Sequence, residues 1–162
     1  MPASAILLSI LGLAPFVGCG LAALGSNPVT ADRMLTALIA WGALVLAFTG
    51  GLHWGLELRQ SETGPPGSPA PGTMRHARIG LAVLPLILGW VALLLPLVVA
   101  PWLGLLLLIA TFIATLAAEH HFSTRVTLPP RYLWLRWGFT IVAVAMLTTV
   151  LTLRLLGQTI VL

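Results

Sequence analysis

The residues of this sequence that could do chemistry are few, and they fall in two short stretches. His53 and Glu57 lie four residues apart, so on a helix their side chains share one face. The second stretch ends in Glu119, His120 and His121. Carboxylates and imidazoles bind metal ions and carry protons, so these five residues form the candidate polar cluster.

Several chemical roles are open to this polar cluster. Its carboxylates and histidines are suitable ligands for a metal ion, although the pattern does not name the metal. His53 and a histidine of the second stretch could instead ligate a haem, as facing helices of a bundle can do. The same groups could form part of a path for protons or ions. A structural interpretation competes with these three: the groups lie at headgroup level, where charge is tolerated, and set helix packing.

Motifs of known catalytic machineries do not occur in the sequence. There is no nucleophile elbow, P-loop, dinucleotide-binding fingerprint or zinc-protease motif. The only cysteine, Cys19, cannot form an internal disulfide and lies in an apolar run, where a packing role is expected. We therefore expect a protein that is not an enzyme.

The elements that carry the polar cluster are predicted to be membrane helices. Hydrophobic residues make up 59% of the 162 residues and charged residues only 7%, against roughly 25% charged residues in soluble domains. A soluble fold of this size could not bury so much apolar surface. The apolar runs are continuous, whereas the strands of a membrane barrel alternate apolar and polar residues. The fold class predicted is all-α, in a lipid bilayer.

Five transmembrane helices are predicted, in a polytopic bundle that forms one domain over 1–162. Residues 79–118 carry no charge, and a single helix of that length would span about 60 Å, twice the hydrocarbon thickness, so a hairpin is expected there. A Pro- and Gly-rich cytoplasmic loop is predicted at 59–77. The predicted helices cover 4–24, 33–58, 79–97, 102–118 and 133–156.

The distribution of arginine predicts the orientation. With five spans, the N-terminus shares one side of the membrane with the second and fourth loops. That side holds six of the eight arginines: Arg59, Arg75, Arg78, Arg125, Arg131 and Arg136. The positive-inside rule therefore places the N-terminus in the cytoplasm. Arg136 and Arg154 bracket helix five, and both are expected to extend toward the membrane surfaces. No basic cluster is dense enough for nucleic acid, which we exclude as a partner.

Small residues spaced four apart predict faces on which helices pack closely. Such residues occur on three of the helices: Gly51 and Gly55, then Ala14, Gly18 and Ala22, then Ala110 and Ala114. Helices two and four run in the same direction, so both polar stretches end at the cytoplasmic interface. We expect these two helices to meet there and to bring His53, Glu57 and Glu119 together.

Four segments in a fixed order give the sequence a family resemblance. They are Leu13-Ala14-Pro15-Phe16, Gly50-Gly51-Leu52-His53-Trp54-Gly55, Leu84-Pro85 with Gly89-Trp90 and Pro96, and Leu128-Pro129-Pro130-Arg131-Tyr132-Leu133-Trp134-Leu135-Arg136. In this order they resemble the transmembrane protein 69-like family, a family of unknown function from proteobacterial inner membranes and mitochondria. The resemblance covers nearly the whole chain and implies location and topology but no activity. Glu119 matches the family's acidic position, whereas Glu57 and Arg131 depart from its pattern.

The function predicted from these observations is that of a non-enzymatic protein of the bacterial inner (cytoplasmic) membrane. Small residues mark more helix faces than a bundle this small needs internally, which favours other integral membrane subunits as partners. We therefore expect an accessory or assembly subunit of a respiratory or photosynthetic complex. The alternatives are a small channel or carrier for protons, a metal or a small solute, and a haem- or pigment-binding subunit.

Overall fold

A computed structural model of the chain describes residues 3–25, 27–63, 72–123 and 130–160. Five α-helices make up almost all of these residues. They are α1 (Ala3–Gly25), α2 (Pro28–Thr63), α3 (Gly72–Val98), α4 (Pro101–Ser123) and α5 (Pro130–Ile160). No strand occurs in these four stretches, so the predicted all-α helix bundle is confirmed.

Proline and asparagine define where the helices begin. Asn27 precedes α2, and its side-chain oxygen accepts a hydrogen bond of 2.9 Å from the backbone N–H of Thr30, which satisfies one of the free donors of the first turn. Pro28 and Pro101 are the first residues of α2 and α4, a position at which a missing N–H costs nothing. Only Val99 and Ala100 separate α3 from α4, so residues 79–118 do form the expected hairpin.

Three segments are long and apolar enough to cross a bilayer: Pro28–Gly55, Pro101–His121 and Trp134–Gly157. In their described parts, α1 and α3 contain shorter apolar segments, Ser9–Gly25 and Ala82–Val98. Of the five predicted spans, three therefore reach full length in the described residues, and two are shorter. The composition of all five helices is that of a membrane protein.

The helices close into a ring in chain order. Each helix packs against the next one, α1 also packs against α5, and α2 touches α4 across the middle. The centre is apolar and includes the fully buried residues Phe16, Leu38, Leu46, Leu108, Phe112 and Leu147. Phe16 of α1 lies edge-on to Phe112 of α4 and to Phe139 of α5, each with a centroid distance of 6.0 Å. This aromatic cluster ties the first helix to the last two.

Glycine allows the closest approaches between helices. Gly50 of α2 lies against the backbone carbonyl of Ala82 in α3, where any side chain would collide with the oxygen. Gly89 of α3 packs on the backbone of Ala43 in the same interface. Close packing at small residues is how helices associate in lipid, where there is no hydrophobic driving force between them.

Most of the predicted packing residues do not lie at contacts between the described helices of this chain, so their packing role stays a prediction. In the part of the chain that the structure describes, no atom of another helix lies within 4 Å of where a Cβ would stand at Gly18, Gly51 or Gly55. Ala14, Ala110 and Ala114 are also exposed, and only Ala22 is half-buried. Gly50 makes the contact with α3 because it lies about 100° around the helix from Gly51. The four-residue spacing identified a row of small residues, but it did not show which side of the bundle this row faces.

The helix ends differ from the prediction at the loop assigned to 59–77. Helix α2 continues to Thr63 and α3 already begins at Gly72, while residues 64–71 lie outside the described part. Residues 59–63 contain no proline or glycine, so the helix continues until the first such residue, Gly64. Helices α4 and α5 likewise extend beyond the predicted ends, to Ser123 and Ile160.

Candidate functional site

A buried carboxylate joins three helices at one end of the bundle. The side chain of Glu119, near the end of α4, is 0% exposed. Its Oε1 lies 3.0 Å from Nε2 of His53 on α2, and its Oε2 accepts a hydrogen bond of 3.0 Å from Nε of Arg136 on α5. We call His53, Glu119 and Arg136 the triad.

Helical periodicity places the members of the triad. Thr111, Thr115 and Glu119 follow one another at intervals of four, and all three side chains are buried on the inner face of α4. Arg136 and Thr140 have the same relation on α5 and are buried as well. The direct contact between α2 and α4 brings His53 to Glu119. The close α2–α3 packing at Gly50 lies one turn before His53 on the same helix.

Charge compensation explains why Glu119 can be buried. An isolated carboxylate in an apolar interior costs several kcal/mol, which an opposite charge and hydrogen bonds offset only when the geometry is good. Both oxygens of Glu119 have a partner at 3.0 Å, one of them the permanently charged guanidinium of Arg136. A carboxylate can only accept hydrogen bonds, so an ionised Glu119 requires that His53 carries its hydrogen on Nε2.

Among the described residues, two buried polar atoms in or next to the triad have no hydrogen-bond partner: Nη2 of Arg136 and Oγ1 of Thr140. The hydroxyls of Thr49, Thr111 and Thr115 all donate to carbonyls of their own helices, which shows how a threonine is normally satisfied here. A buried donor without a partner costs about 1–3 kcal/mol, so such an atom calls for a water or a ligand.

A cavity of about 660 Å³ lies beside Arg136, between α1, α2 and α5. Its walls are mostly apolar, with Leu44, Val45, Phe48 and Leu52 from α2 along one side. Trp41 also lines it and donates a hydrogen bond of 3.0 Å from Nε1 to the carbonyl of Gly12 in α1, which ties two of the walls together.

The structure brings together only part of the predicted polar cluster. His53 and Glu119 are in contact, whereas the side chain of Glu57 lies outside the described residues. His120 and His121 are exposed, and the ring of His120 packs edge-on against Trp137 at 6.0 Å. The two histidines point away because residues that directly follow Glu119 lie on other faces of the helix.

The ligand hypotheses have little geometric support at this site. Among the described side chains, no three of His, Cys, Asp and Glu stand close enough to hold a metal ion. The nitrogen of His53 that would ligate a haem iron, Nε2, is directed at Glu119. Chemically, the triad holds the charges of Glu119 and Arg136 in fixed positions inside the bundle. Arg136 also lines the cavity.

Arg136 is the site residue that the sequence analysis missed. It was expected to extend toward the membrane surface, but its side chain is only 8% exposed and pairs with Glu119. The available signal was that charges inside membrane helices usually pair with one another, and Glu119 is the only acidic residue of α4. Pairing with Glu119 offsets the cost of burial, so the side chain has no need to reach water.

Comparison with known families covers almost the whole chain. The sequence profile of a protein family of unknown function, DUF3429, matches residues 1–152. The chain belongs to the DUF3429 family. No curated protein and no solved structure matches it.

The match includes every residue of the triad and every residue that lines the cavity. The triad and the cavity beside it therefore lie within the region that the DUF3429 profile matches. The function of this family is unknown.

Proposed function

We propose that this DUF3429 protein is a non-enzymatic subunit of the bacterial inner membrane that packs against other membrane proteins through its outward helix faces. We further propose that the larger assembly is a respiratory or photosynthetic complex, in which this chain is an accessory or assembly component. The resemblance to the transmembrane protein 69-like family supports the inner-membrane location.

The pair Gly51 and Gly55 carries the proposal. Both glycines are exposed, and no atom of another described helix lies within 4 Å of a Cβ built on either one. Glycine within a helix costs about 1 kcal/mol relative to alanine, and lipid chains gain nothing from it. Glycines four residues apart do allow a second helix to approach closely, so a helix of another subunit is the fitting neighbour. Ala14 and Gly18 form a second exposed row of this kind on α1.

The triad has a supporting role in this proposal. It links α2, α4 and α5 at one end, and it thereby fixes the rotation of α2 that turns Gly51 and Gly55 outward. Charged groups buried inside a bundle can specify one packing arrangement over others, and we propose that role here.

Co-purification with a matched control tests the proposal. The tagged protein is isolated from its native membranes in mild detergent, as wild type, as Gly51→Leu/Gly55→Leu, and as Gly138→Leu. Gly138 on α5 is also exposed with open space around it, so the same substitution there serves as the control.

We expect the wild type and the Gly138 variant to retain subunits of a respiratory or photosynthetic complex. The double variant should lose them at least tenfold while remaining folded. A wild-type protein that purifies without such subunits would contradict the proposal, and so would equal retention by both variants.

The buried triad also favours an alternative, a small carrier or channel, because ionisable groups inside a membrane often mark ion pathways. Beyond the triad and the buried threonines next to it, the described centre of the bundle is apolar, with Leu38, Leu46 and Leu108 fully buried. Proton flux in proteoliposomes that disappears in Glu119→Gln would favour this alternative over the subunit role. An absorption spectrum of the purified protein tests the haem- or pigment-binding alternative.

A further inference from the structure

The cavity beside Arg136 has the dimensions of a ligand site. Its volume of about 660 Å³ lies within the roughly 300–1,000 Å³ of small-molecule pockets. Along α2 it extends from Trp41 to Leu52, which is about 16 Å of helix. Leu44 and Phe48 in its wall are strongly exposed, so the cavity opens on the side of the bundle that faces the bilayer. An elongated apolar molecule can therefore enter from the membrane.

The cavity has one polar end, and that end lies toward the membrane surface. Trp41 stands near the middle of the span Pro28–Gly55, whereas Leu52 is adjacent to His53 of the triad near its end. Arg136 joins the same triad, so it lies at the Leu52 end. A molecule in the cavity would have its apolar part toward the bilayer centre and its polar part toward the interface. Membrane lipids have this orientation.

Charge at this end of the bundle favours an anionic head. The side chain of Arg136 is more than nine-tenths buried and lines the cavity, and its buried Nη2 has no hydrogen-bond partner among the described residues. In the sequence, residues 57–78 and 120–135 contain five further arginines against two acids, Glu57 and Glu62. In other membrane proteins, basic pockets between helices on the cytoplasmic side bind phosphate-containing lipid heads.

We infer that the cavity binds one acyl chain of an anionic phospholipid, with the lipid phosphate at the Arg136 end. The apolar walls hold the chain, and the lipid phosphate lies against the guanidinium of Arg136, whose positive charge attracts it. This occupant fills the cavity and places acceptor oxygens beside a guanidinium that has an unpaired donor. An uncharged isoprenoid quinone could fill the apolar part, but it would gain little from the excess of arginine.

Native mass spectrometry with defined lipids tests the inference. The protein is reconstituted in phosphatidylcholine nanodiscs that contain a tenth of phosphatidylglycerol of matched acyl chains, and the lipids retained after gentle detergent release are counted. Leu44→Trp fills the cavity without touching the triad. Leu86→Trp is the control, because Leu86 is similarly exposed on α3 and does not line the cavity.

We expect the wild type and Leu86→Trp to retain about one phosphatidylglycerol per chain, at least fivefold in excess of phosphatidylcholine after correction for abundance. Leu44→Trp should retain at least fivefold less. Equal retention by the two variants would overturn the cavity assignment. Equal retention of phosphatidylcholine, or displacement of the lipid by inorganic phosphate alone, would overturn the assignment of an anionic phospholipid.

A second measurement concerns the polar end. Arg136→Lys keeps the positive charge but loses the planar guanidinium, which both donates to Glu119 and lines the cavity. We expect it to lower phosphatidylglycerol retention about threefold or more. Unchanged retention in a folded Arg136→Lys protein would contradict the role of the Arg136 guanidinium. The Leu44 and Leu86 variants decide the cavity assignment even if this variant does not fold.

Discussion

Among the described residues, two ion pairs tie α5 to other helices, one at each end of the bundle, and they differ in burial. At one end, Arg154 donates from Nη1 to Oδ1 of Asp32 at 2.7 Å, with side chains 27% and 71% exposed. At the other, Arg136 donates to Glu119 at 3.0 Å, with side chains 8% and 0% exposed. The exposed pair is the shorter one. Water nevertheless screens the exposed pair. In the buried triad, burial keeps water from solvating the remaining charge if a partner is lost.

The comparison shows that burial, more than distance, sets the consequence of losing a partner. Exposed pairs typically contribute about 0–1 kcal/mol, because water solvates either group when the other is removed. Removing one member of a buried pair typically costs about 3–5 kcal/mol, because the remaining charge is left without compensation. The triad end should therefore respond to mutation far more strongly than the Asp32 end.

The largest effect is expected from Glu119→Ala. It leaves the guanidinium of Arg136 buried without its counter-charge, and we expect the free energy of unfolding to fall by about 3–5 kcal/mol. Unfolding in mixed micelles of mild detergent and dodecyl sulfate, followed by circular dichroism, measures this change. A loss below about 1 kcal/mol would show that the two ends of the bundle do not differ as proposed.

Removing both charges should restore most of that loss. Glu119→Leu/Arg136→Met replaces the pair by apolar residues of similar size, and such replacements are often neutral or stabilising. We expect the double variant to be at least about 2 kcal/mol more stable than Glu119→Ala in the same assay. If it is as unstable as the single variant, then the hydrogen bonds of Glu119, including the one to His53, contribute more than charge burial does.

The close packing of α2 on α3 should matter for the triad end as well. Gly50→Leu forces a side chain against the carbonyl of Ala82, and overpacking of this kind costs about 1–3 kcal/mol. Gly51→Leu, one residue further along, meets open space and should change stability by less than about 0.5 kcal/mol. Equal effects at the two positions would mean that α2 is rotated about its axis so that Gly50 and Gly51 do not differ in their contact with α3.

The smallest effect is expected from Asp32→Ala at the exposed end. Stability should fall by no more than about 1 kcal/mol, and by less in 0.5 M salt, because exposed charges are screened. The loss from Glu119→Ala should hardly change with salt, since that carboxylate is fully buried. A salt-independent loss at Asp32 would show that its pair with Arg154 is shielded from water.

Much of the fold follows from local features of the sequence. Continuous apolar runs and the absence of charged residues from 79 to 118 predict membrane helices and the hairpin of α3 and α4. The prolines at 28 and 101 mark where α2 and α4 begin. The pairing of His53 with Glu119 was also predictable, because both lie at the ends of helices that run in the same direction. These features depend on spacing along one helix or on helix order.

What the tertiary structure alone decided is how each helix is rotated about its axis. Spacing along a helix sets the angles between its own side chains but gives no reference to its neighbours. For that reason the sequence did not distinguish Gly50, which packs on Ala82, from Gly51, which faces outward. For the same reason it placed Arg136 at the surface, whereas the packing of α5 on α4 turns that side chain onto Glu119. Spacing and helix order in the sequence were enough to predict that His53 meets Glu119, but the third member of the triad emerged only when the five helices packed together.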